Sequence, residues 1–148
     1  MTSFTHKQPN SNDCFVCGRN NKAGLGMVFF DDGNDQVQSL HTVKEIHQGY
    51  PGIVHGGILA GMLDEAIARV VMIGDHHHFM MSVTLQMQYR QPVPTNTQLR
   101  ICGELIRQRG RIAKAKGAIY LPDGSICCEA QMTMADMPDG LLDHSRLG

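Results

Sequence analysis

The sequence has no tryptophan, only 5% aromatic residues, a formal net charge of -1 and no internal repeat. A near-neutral chain carries no global excess of base, so its charge does not favour binding to nucleic acid. No apolar run approaches the ~20 residues of a membrane-spanning helix, and the N-terminus lacks the apolar region of a signal peptide. We therefore expect a cytoplasmic protein whose partners include neither nucleic acid nor a membrane.

The five cysteines are an odd number in a chain of 148 residues. A domain of this length buries roughly 68–70% of its unfolded surface and needs no disulfide framework. Cys14 and Cys17 form half of a zinc-binding pattern, but the other three cysteines lie in predicted strands and supply no second pair. We interpret Cys14 and Cys17 as a reduced structural pair. The histidines at 76–78 are interpreted as a solvent loop, because adjacent loop side chains diverge, and no metal is predicted.

The pattern of apolar residues divides the chain into a polar N-terminal arm (1–25), one domain (26–138) and a flexible tail (139–148). One segment, 56–74, has the 3.6-residue period of an amphipathic helix. Segments with the period of a strand occupy 27–31, 36–43, 81–91, 98–108, 111–121 and 125–135. The last four follow one another with short turns and predict an antiparallel meander. The fold class is therefore α+β, with one helix covering one face of an antiparallel sheet.

Within the predicted helix, a stripe of small residues contains one acid, Asp64. Ala60 and Ala68 lie one turn to either side, so no cation on the helix pairs with it. An unpaired carboxylate among small apolar residues is costly unless it is hydrogen-bonded or used, which favours a functional Asp64. Glu65 differs, because Arg69 lies four residues further on and can pair with it.

The helix begins at the sequence His55-Gly56-Gly57, where free backbone N–H groups and the positive end of the helix dipole can bind a carbonyl oxygen. The alternative is that two glycines merely permit a tight entry into the helix. Gly56 and Asp64 are ~12 Å apart along a helix, too far to serve one carbonyl in the same chain. If both act, we expect them to act across a dimer with two equivalent sites.

Two segments carry a family resemblance: GYPGIVHGGILAGMLDEA, with an acid nine residues after the histidine, and SVTLQMQYRQPVP, with Tyr-Arg-x-Pro at the end of a strand. The chain resembles the hotdog-fold acyl-CoA thioesterases of the PaaI-like and thioesterase-superfamily-member type. The similarity covers most of the chain, from CFVCGRNNKAGLG to DGSICCEAQ. It implies an antiparallel sheet wrapped around one long central helix, and a homodimer joined edge to edge that is often doubled to a tetramer.

The resemblance also implies roles for individual residues. Asp64 would be the general base for water or the nucleophile, and the backbone amide of Gly56 in the partner chain would polarise the thioester carbonyl. His55 and Gly57 would belong to the same catalytic loop. Ser82 occupies the position where related enzymes carry a serine or threonine that orients the attacking water.

The chain departs from the family pattern six residues before the HGG histidine. Some relatives carry asparagine or glutamine there, whereas this chain has Gly49. The adjacent Gln48 is the candidate to assist Gly56 from a shifted loop.

Coenzyme A is polyanionic, so local basic residues are candidates for binding its phosphates. We select Arg90, Arg109, Arg111 and Lys114. The alternative is a charged, solvated sheet face.

The leading functional hypothesis is hydrolysis of a small, medium-chain or aryl acyl-CoA to the free acid and CoA, with no cofactor. The alternative is a non-catalytic hotdog protein that binds acyl-CoA as a sensor or carrier. A hotdog hydratase or dehydratase fits less well, because those enzymes usually pair a histidine with the acid.

Overall fold

The computed structural model describes residues 3–143 and 145, which form a seven-stranded sheet and an α-helix. The strands are β1 (His6–Lys7), β2 (Phe30–Asp31), β3 (Gln36–Thr42), β4 (Met80–Tyr89), β5 (Gln98–Arg109), β6 (Ile112–Tyr120) and β7 (Ile126–Asp136). Helix α1 spans Gly56–Ala68, and the predicted helix continues as a tighter 3₁₀ turn at Arg69–Met72. Of the predicted tail, residues 144 and 146–148 lie outside the described part. No helix in the described ranges is long and apolar enough to cross a membrane.

The strands are arranged in the order β1-β2-β3-β5-β6-β7-β4, and all neighbouring strands are antiparallel. Strands β5, β6 and β7 form the predicted meander. The prediction that β4 precedes them as its first strand was wrong, because β4 pairs with β7 at the far edge of the sheet. The connection at 90–97, between β4 and β5, contains two prolines, which have no backbone N–H to donate to a neighbouring strand. Its Val93 carbonyl instead accepts a hydrogen bond from the Val54 N–H, at 2.8 Å.

Helix α1 lies against the sheet through its apolar stripe. The buried side chains of this stripe are Leu59, Met62, Leu63, Ala66 and Ile67. Burying a leucine or isoleucine side chain stabilises a fold by about 1.5–3 kcal/mol, so the stripe fixes which face of α1 meets the sheet.

Two glycines of the sheet make this close packing possible. A Cβ on Gly103 would lie 2.4 Å from the Ala66 carbonyl oxygen, and one on Gly117 would lie 2.7 Å from Ile67 Cγ1. At these two positions β5 and β6 have no side chains, so the sheet approaches the backbone of α1 closely.

The N-terminal arm covers the C-terminal end of α1 and the turn after it. The Arg69 guanidinium is buried there, donates to the Pro9 carbonyl at 2.9 Å and lies over the ring of Phe29. Only the last two residues of the predicted strand 27–31 pair in the sheet. The Met27 N–H instead donates to the Val16 carbonyl of the arm, at 2.9 Å.

Candidate active site

The entrance of α1 is organised by the imidazole of His55. Its Nδ1 accepts a hydrogen bond from the Gly57 N–H at 2.9 Å, which caps the helix. The accepting nitrogen carries no proton, so this geometry selects the tautomer protonated at Nε2. The amide of Gly57 is therefore already used, and of the two glycines it is Gly56 whose N–H is left to bind a ligand.

Gly56 is the first residue of α1, and among the described residues its N–H has no acceptor. Its carbonyl accepts a hydrogen bond from the Tyr89 hydroxyl at 2.8 Å. The ring of Tyr89 lies beside the glycine, where a Cβ on Gly56 would be 3.5 Å from it. Partial burial raises the pKa of Tyr89, so the hydroxyl remains a donor at neutral pH. The last residue of β4 thus holds the helix entrance in place.

Asp64 and Ser82 come together on the other side of the site. Asp64 is half-buried on α1, and its Oδ1 accepts a hydrogen bond from the Ser82 hydroxyl of β4 at 2.6 Å. The Asp64 Oδ2 has no protein partner within the described chain. A free carboxylate oxygen beside a hydroxyl with open lone pairs can hold and deprotonate a water molecule.

A β-bulge in β4 aims Ser82 at the helix. The pairing of β4 with β7 shifts register between Ser82 and Thr84, which leaves Val83 unpaired. Side chains normally alternate between the two faces of a strand, so residues seven apart face opposite sides. With the bulge, both Ser82 and Tyr89 contact α1.

The two halves of the site are separated within one chain. Gly56 and Asp64 lie on the same continuous helix, so they are ~12 Å apart along its axis. Two cavities of the described residues lie elsewhere and do not join them. One, of 610 Å³, lies on the sheet face away from α1, and the other, of 390 Å³, lies beneath the arm.

Gln48 is engaged within its own loop. Its side-chain oxygen accepts from the Gly52 N–H at 3.0 Å and so closes a turn before the helix. A Cβ on Gly49 would lie 3.3 Å from the Cα of His55, so a longer side chain at that position would press on the capping residue. The glycine fits the close approach of this loop to His55.

The four candidate phosphate-binding cations do not form one patch in the single chain. Arg90 follows β4 and is bound to Glu129 at 2.7 Å. Arg109 and Arg111 flank the turn between β5 and β6, level with the first residues of β4, and Lys114 lies on β6. These three have no carboxylate partner among the described residues. Since β4 has 10 residues, Arg90 is about 30 Å from the turn.

Two contacts were not predicted from the sequence. Tyr89 had no predicted role, although the residue stands in the Tyr-Arg-x-Pro sequence that ends β4. Glu65 was paired only with Arg69, whereas the second oxygen of Glu65 lies 3.9 Å from Cys14 Sγ. Neither contact is local in sequence, so no spacing pattern indicates it.

A seven-stranded antiparallel sheet packed on one long helix, with the helix entrance and one acid both in contact with an edge strand, defines a hotdog fold. The family model described as thioesterase superfamily matches residues 51–128, which is more than half of the chain. The chain belongs to the thioesterase superfamily. The family resemblance and the fold class predicted from the sequence are confirmed.

Solved structures agree with this assignment. A crystal structure of a thioesterase superfamily protein is 28% identical, with a TM-score of 0.73, over 84% of this chain and 63% of its own. The chain thus spans less than two thirds of that protein. The Escherichia coli PaaI protein from the phenylacetic acid degradation operon is 15% identical, with a TM-score of 0.68, over 77% of this chain and 81% of its own. A hypothetical thioesterase from Streptococcus pneumoniae, solved with coenzyme A, is 23% identical, with a TM-score of 0.63, over 70% of this chain and 80% of its own.

Proposed function

We propose that the protein is an acyl-CoA thioesterase that hydrolyses the thioester of a small, medium-chain or aryl acyl-CoA to the free acid and CoA. The observation that carries the proposal is the hydrogen bond of 2.6 Å between Ser82 and Asp64, which leaves one carboxylate oxygen free. The unpaired N–H of Gly56 supports it. The coenzyme A in the structure of the Streptococcus pneumoniae relative supports the class of substrate.

The reaction needs a base and an oxyanion donor. With Asp64 as general base, it removes a proton from water held by Ser82, and the resulting hydroxide attacks the thioester carbonyl. Negative charge builds on the carbonyl oxygen and is stabilised by the Gly56 N–H. Collapse expels the CoA thiolate, which receives the proton from Asp64. With Asp64 as nucleophile, its carboxylate attacks the carbonyl carbon, the same donor stabilises the oxyanion, and the C–S bond breaks as the CoA thiolate leaves and takes a proton from solvent. Water then hydrolyses the acyl-aspartyl anhydride, which releases the free acid and regenerates Asp64.

We propose that a second copy of the chain completes the site through β4. This strand is an edge of the sheet and exposes apolar side chains, with Val83 at 59% and Tyr89 at 54%. An exposed, apolar edge strand is a template for pairing with another chain. Antiparallel pairing of β4 with the same strand of a second copy would extend the sheet across a two-fold axis.

We infer the register of this pairing from the positions of Ser82 and Tyr89 on β4. A two-fold axis at Gln86 would pair Leu85 with Met87 of the other copy, so that side chains facing α1 meet across the axis. Because Val83 is bulged, the next inward pair is Ser82 with Tyr89. Each Asp64 is thereby brought beside the Gly56 of the other copy, and two equivalent sites form.

The same arrangement gathers the basic residues. Arg90 of one copy, which follows Tyr89, would lie level with Met81 of the other. Within each copy, the turn that carries Arg109 and Arg111 lies level with Met81 of the same copy. The turn and Met81 are two strands apart, which is about 10 Å. Cations from both copies could then contact the phosphates of one CoA molecule.

Release of free thiol from short, medium, long and aryl acyl-CoAs, compared between the wild type and Asp64→Asn, tests the proposed function. We expect one class of substrate to be hydrolysed and kcat to fall at least about 100-fold in the variant. Glu104→Gln is the control, because its carboxylate lies near Lys116 on another strand of the sheet. Full activity of Asp64→Asn would refute the role of Asp64. A folded dimer that binds acyl-CoA without hydrolysing any of the panel would instead identify a sensor or carrier.

A further inference from the structure

Two cysteines and one carboxylate form a cluster beneath the arm, away from Gly56. The Sγ atoms of Cys14 and Cys17 and a carboxylate oxygen of Glu65 all lie within 4.8 Å of one another. Within the described residues, this is the one such cluster of three or more possible metal ligands. Cys14 Sγ is 3.9 Å from Glu65 Oε2. These are separations that a small cation can span by modest side-chain movement.

The turn that presents the two sulfurs is built by the backbone. The Gly18 N–H donates to the Cys14 carbonyl at 2.8 Å, and a Cβ on Gly18 would lie 2.4 Å from that oxygen. The Cys17 N–H points at Cys14 Sγ from 3.4 Å. An amide directed at sulfur favours the thiolate, which is the form that binds metal. The geometry of the turn is therefore fixed before any ligand arrives.

Charge in the cluster is balanced for a divalent cation. Glu65 Oε1 is held by the buried Arg69 guanidinium at 3.1 Å, which leaves Oε2 directed toward the cysteines. Two thiolates and one divalent cation together carry no net charge, so no uncompensated charge is buried when the site is filled.

We propose that Cys14, Cys17 and Glu65 bind a Zn²⁺ ion. Two thiolates select a thiophilic metal over Mg²⁺ or Ca²⁺, which prefer oxygen ligands. Three protein ligands leave a fourth position for water, and the cluster lines the 390 Å³ cavity that has room for it. His78 lines the same cavity but is not a fourth ligand, because its two ring nitrogens contact the Val71 carbonyl and Asp136.

The ion would fasten the arm to α1. Cys14 and Cys17 belong to the arm, whereas Glu65 follows Asp64 on the helix but faces the cysteines. The Asp64 to Ser82 hydrogen bond shares no atom with the cluster. This inference does not depend on the proposed hydrolysis, and the two can fail separately.

Cobalt spectroscopy tests the proposal on the full chain, reduced and stripped of metal with a chelator. We expect Co²⁺ to bind with one equivalent per chain, to give a thiolate-to-cobalt charge-transfer band, and to be displaced by Zn²⁺. Cys14→Ser and Cys17→Ser should each abolish the band, and Glu65→Gln should weaken Zn²⁺ binding at least about 10-fold. Cys102→Ser is the matched control, because Cys102 contacts Arg100 on β5, and it should bind like the wild type.

The absence of the band in the reduced wild type would overturn the proposal, as would an unchanged band in Cys14→Ser. If the two cysteines form a disulfide and the reduced protein binds no Co²⁺, they are a redox pair and the proposal is wrong. Circular dichroism of each variant shows whether it has folded. Because Glu65→Gln retains both sulfurs, it tests the carboxylate even where a cysteine variant fails to fold.

Discussion

Gly56 and Gly57 are chemically identical neighbours whose amides have different environments. The His55 ring takes the amide of Gly57 as the helix cap, and the Tyr89 hydroxyl fixes the carbonyl of Gly56. What remains at the entrance is one N–H with a fixed direction. In the proposed reaction this N–H is a preorganised oxyanion donor, since no group has to move when charge develops on the substrate.

Replacing Gly56 by proline removes this N–H and changes little else. Proline is well tolerated at the first position of a helix, and the preceding His55, with φ -61° and ψ 135°, has the conformation that proline requires of its neighbour. We expect kcat to fall about 100- to 1,000-fold, as when one oxyanion donor is lost. Thioester hydrolysis at saturating substrate measures this change.

Gly56→Ala is the matched control for the proline variant. Its Cβ makes the same ordinary contact with the Tyr89 ring, at 3.5 Å, but the N–H is kept. Activity should stay within a few-fold of the wild type. Equal losses in the two variants would show that crowding at Tyr89, and not the amide, is responsible.

At this scale the sequence indicated candidate residues but not the contacts that they make. Asp64 was singled out because no cation near it on the helix could pair with its carboxylate. The free-energy cost of an unpaired carboxylate among apolar residues can be recognised from the sequence alone. The partner of Tyr89 lies 33 residues away and that of Cys14 lies 51 residues away. Contacts of that range depend on how the sheet closes around the helix, which no local spacing records.

Among the elements, β4 differs most from its prediction. Its length and strand period were evident in the sequence, but its neighbour was not. Antiparallel neighbours are usually consecutive in sequence, and the prediction that β4 pairs with β5 followed from this tendency. The two prolines after β4 were the available signal, because they leave the connection without the donors that a hairpin ladder needs. Helix α1 was easier to predict, since its stripe of buried residues sets its period.

The close approach of α1 to β5 predicts opposite effects for two glycine-to-alanine substitutions. At Gly103 the added methyl would collide with the backbone of α1, because Cβ would lie 2.4 Å from the Ala66 carbonyl oxygen. We expect the free energy of unfolding to fall by about 1–3 kcal/mol. At Gly61 a Cβ meets only Val16 Cγ2, at 4.0 Å, and alanine should stabilise the helix by about 0.5–1 kcal/mol. Denaturant titration measures both changes, and stabilisation by Gly103→Ala would contradict the packing described.

For the whole molecule, the register of the proposed dimer predicts a specific crosslink. The two-fold axis at Gln86 places this residue opposite its own copy, within the Cα separation of 4.5–5.5 Å found between antiparallel neighbours. Gln86→Cys should therefore form a disulfide between two chains under mild oxidation. Gln88→Cys lies on the same face but opposite Thr84, so it should not crosslink. Non-reducing electrophoresis distinguishes the two, and crosslinking of Gln88→Cys alone would require a different register.

A mixture of two inactive variants should recover activity if the sites are shared. A dimer of one Asp64→Asn chain and one Gly56→Pro chain contains one site with both groups intact and one with neither. With random pairing of co-expressed chains, we expect about a quarter of the wild-type activity. Each variant expressed alone is the control. No recovery, despite hybrid dimers isolated by two different affinity tags, would show that each site belongs to a single chain.

The distance between Gly56 and Asp64 along one rigid helix has a further consequence. In the proposed dimer each chain holds half of each of two sites and has no catalytic capacity of its own, so the amount of active enzyme depends on mass action between copies. When the protein is dilute relative to its dimer dissociation constant, the concentration of complete sites grows with the square of the chain concentration. Doubling the protein then quadruples the flux, and the abundance of the chain itself becomes a control on its chemistry.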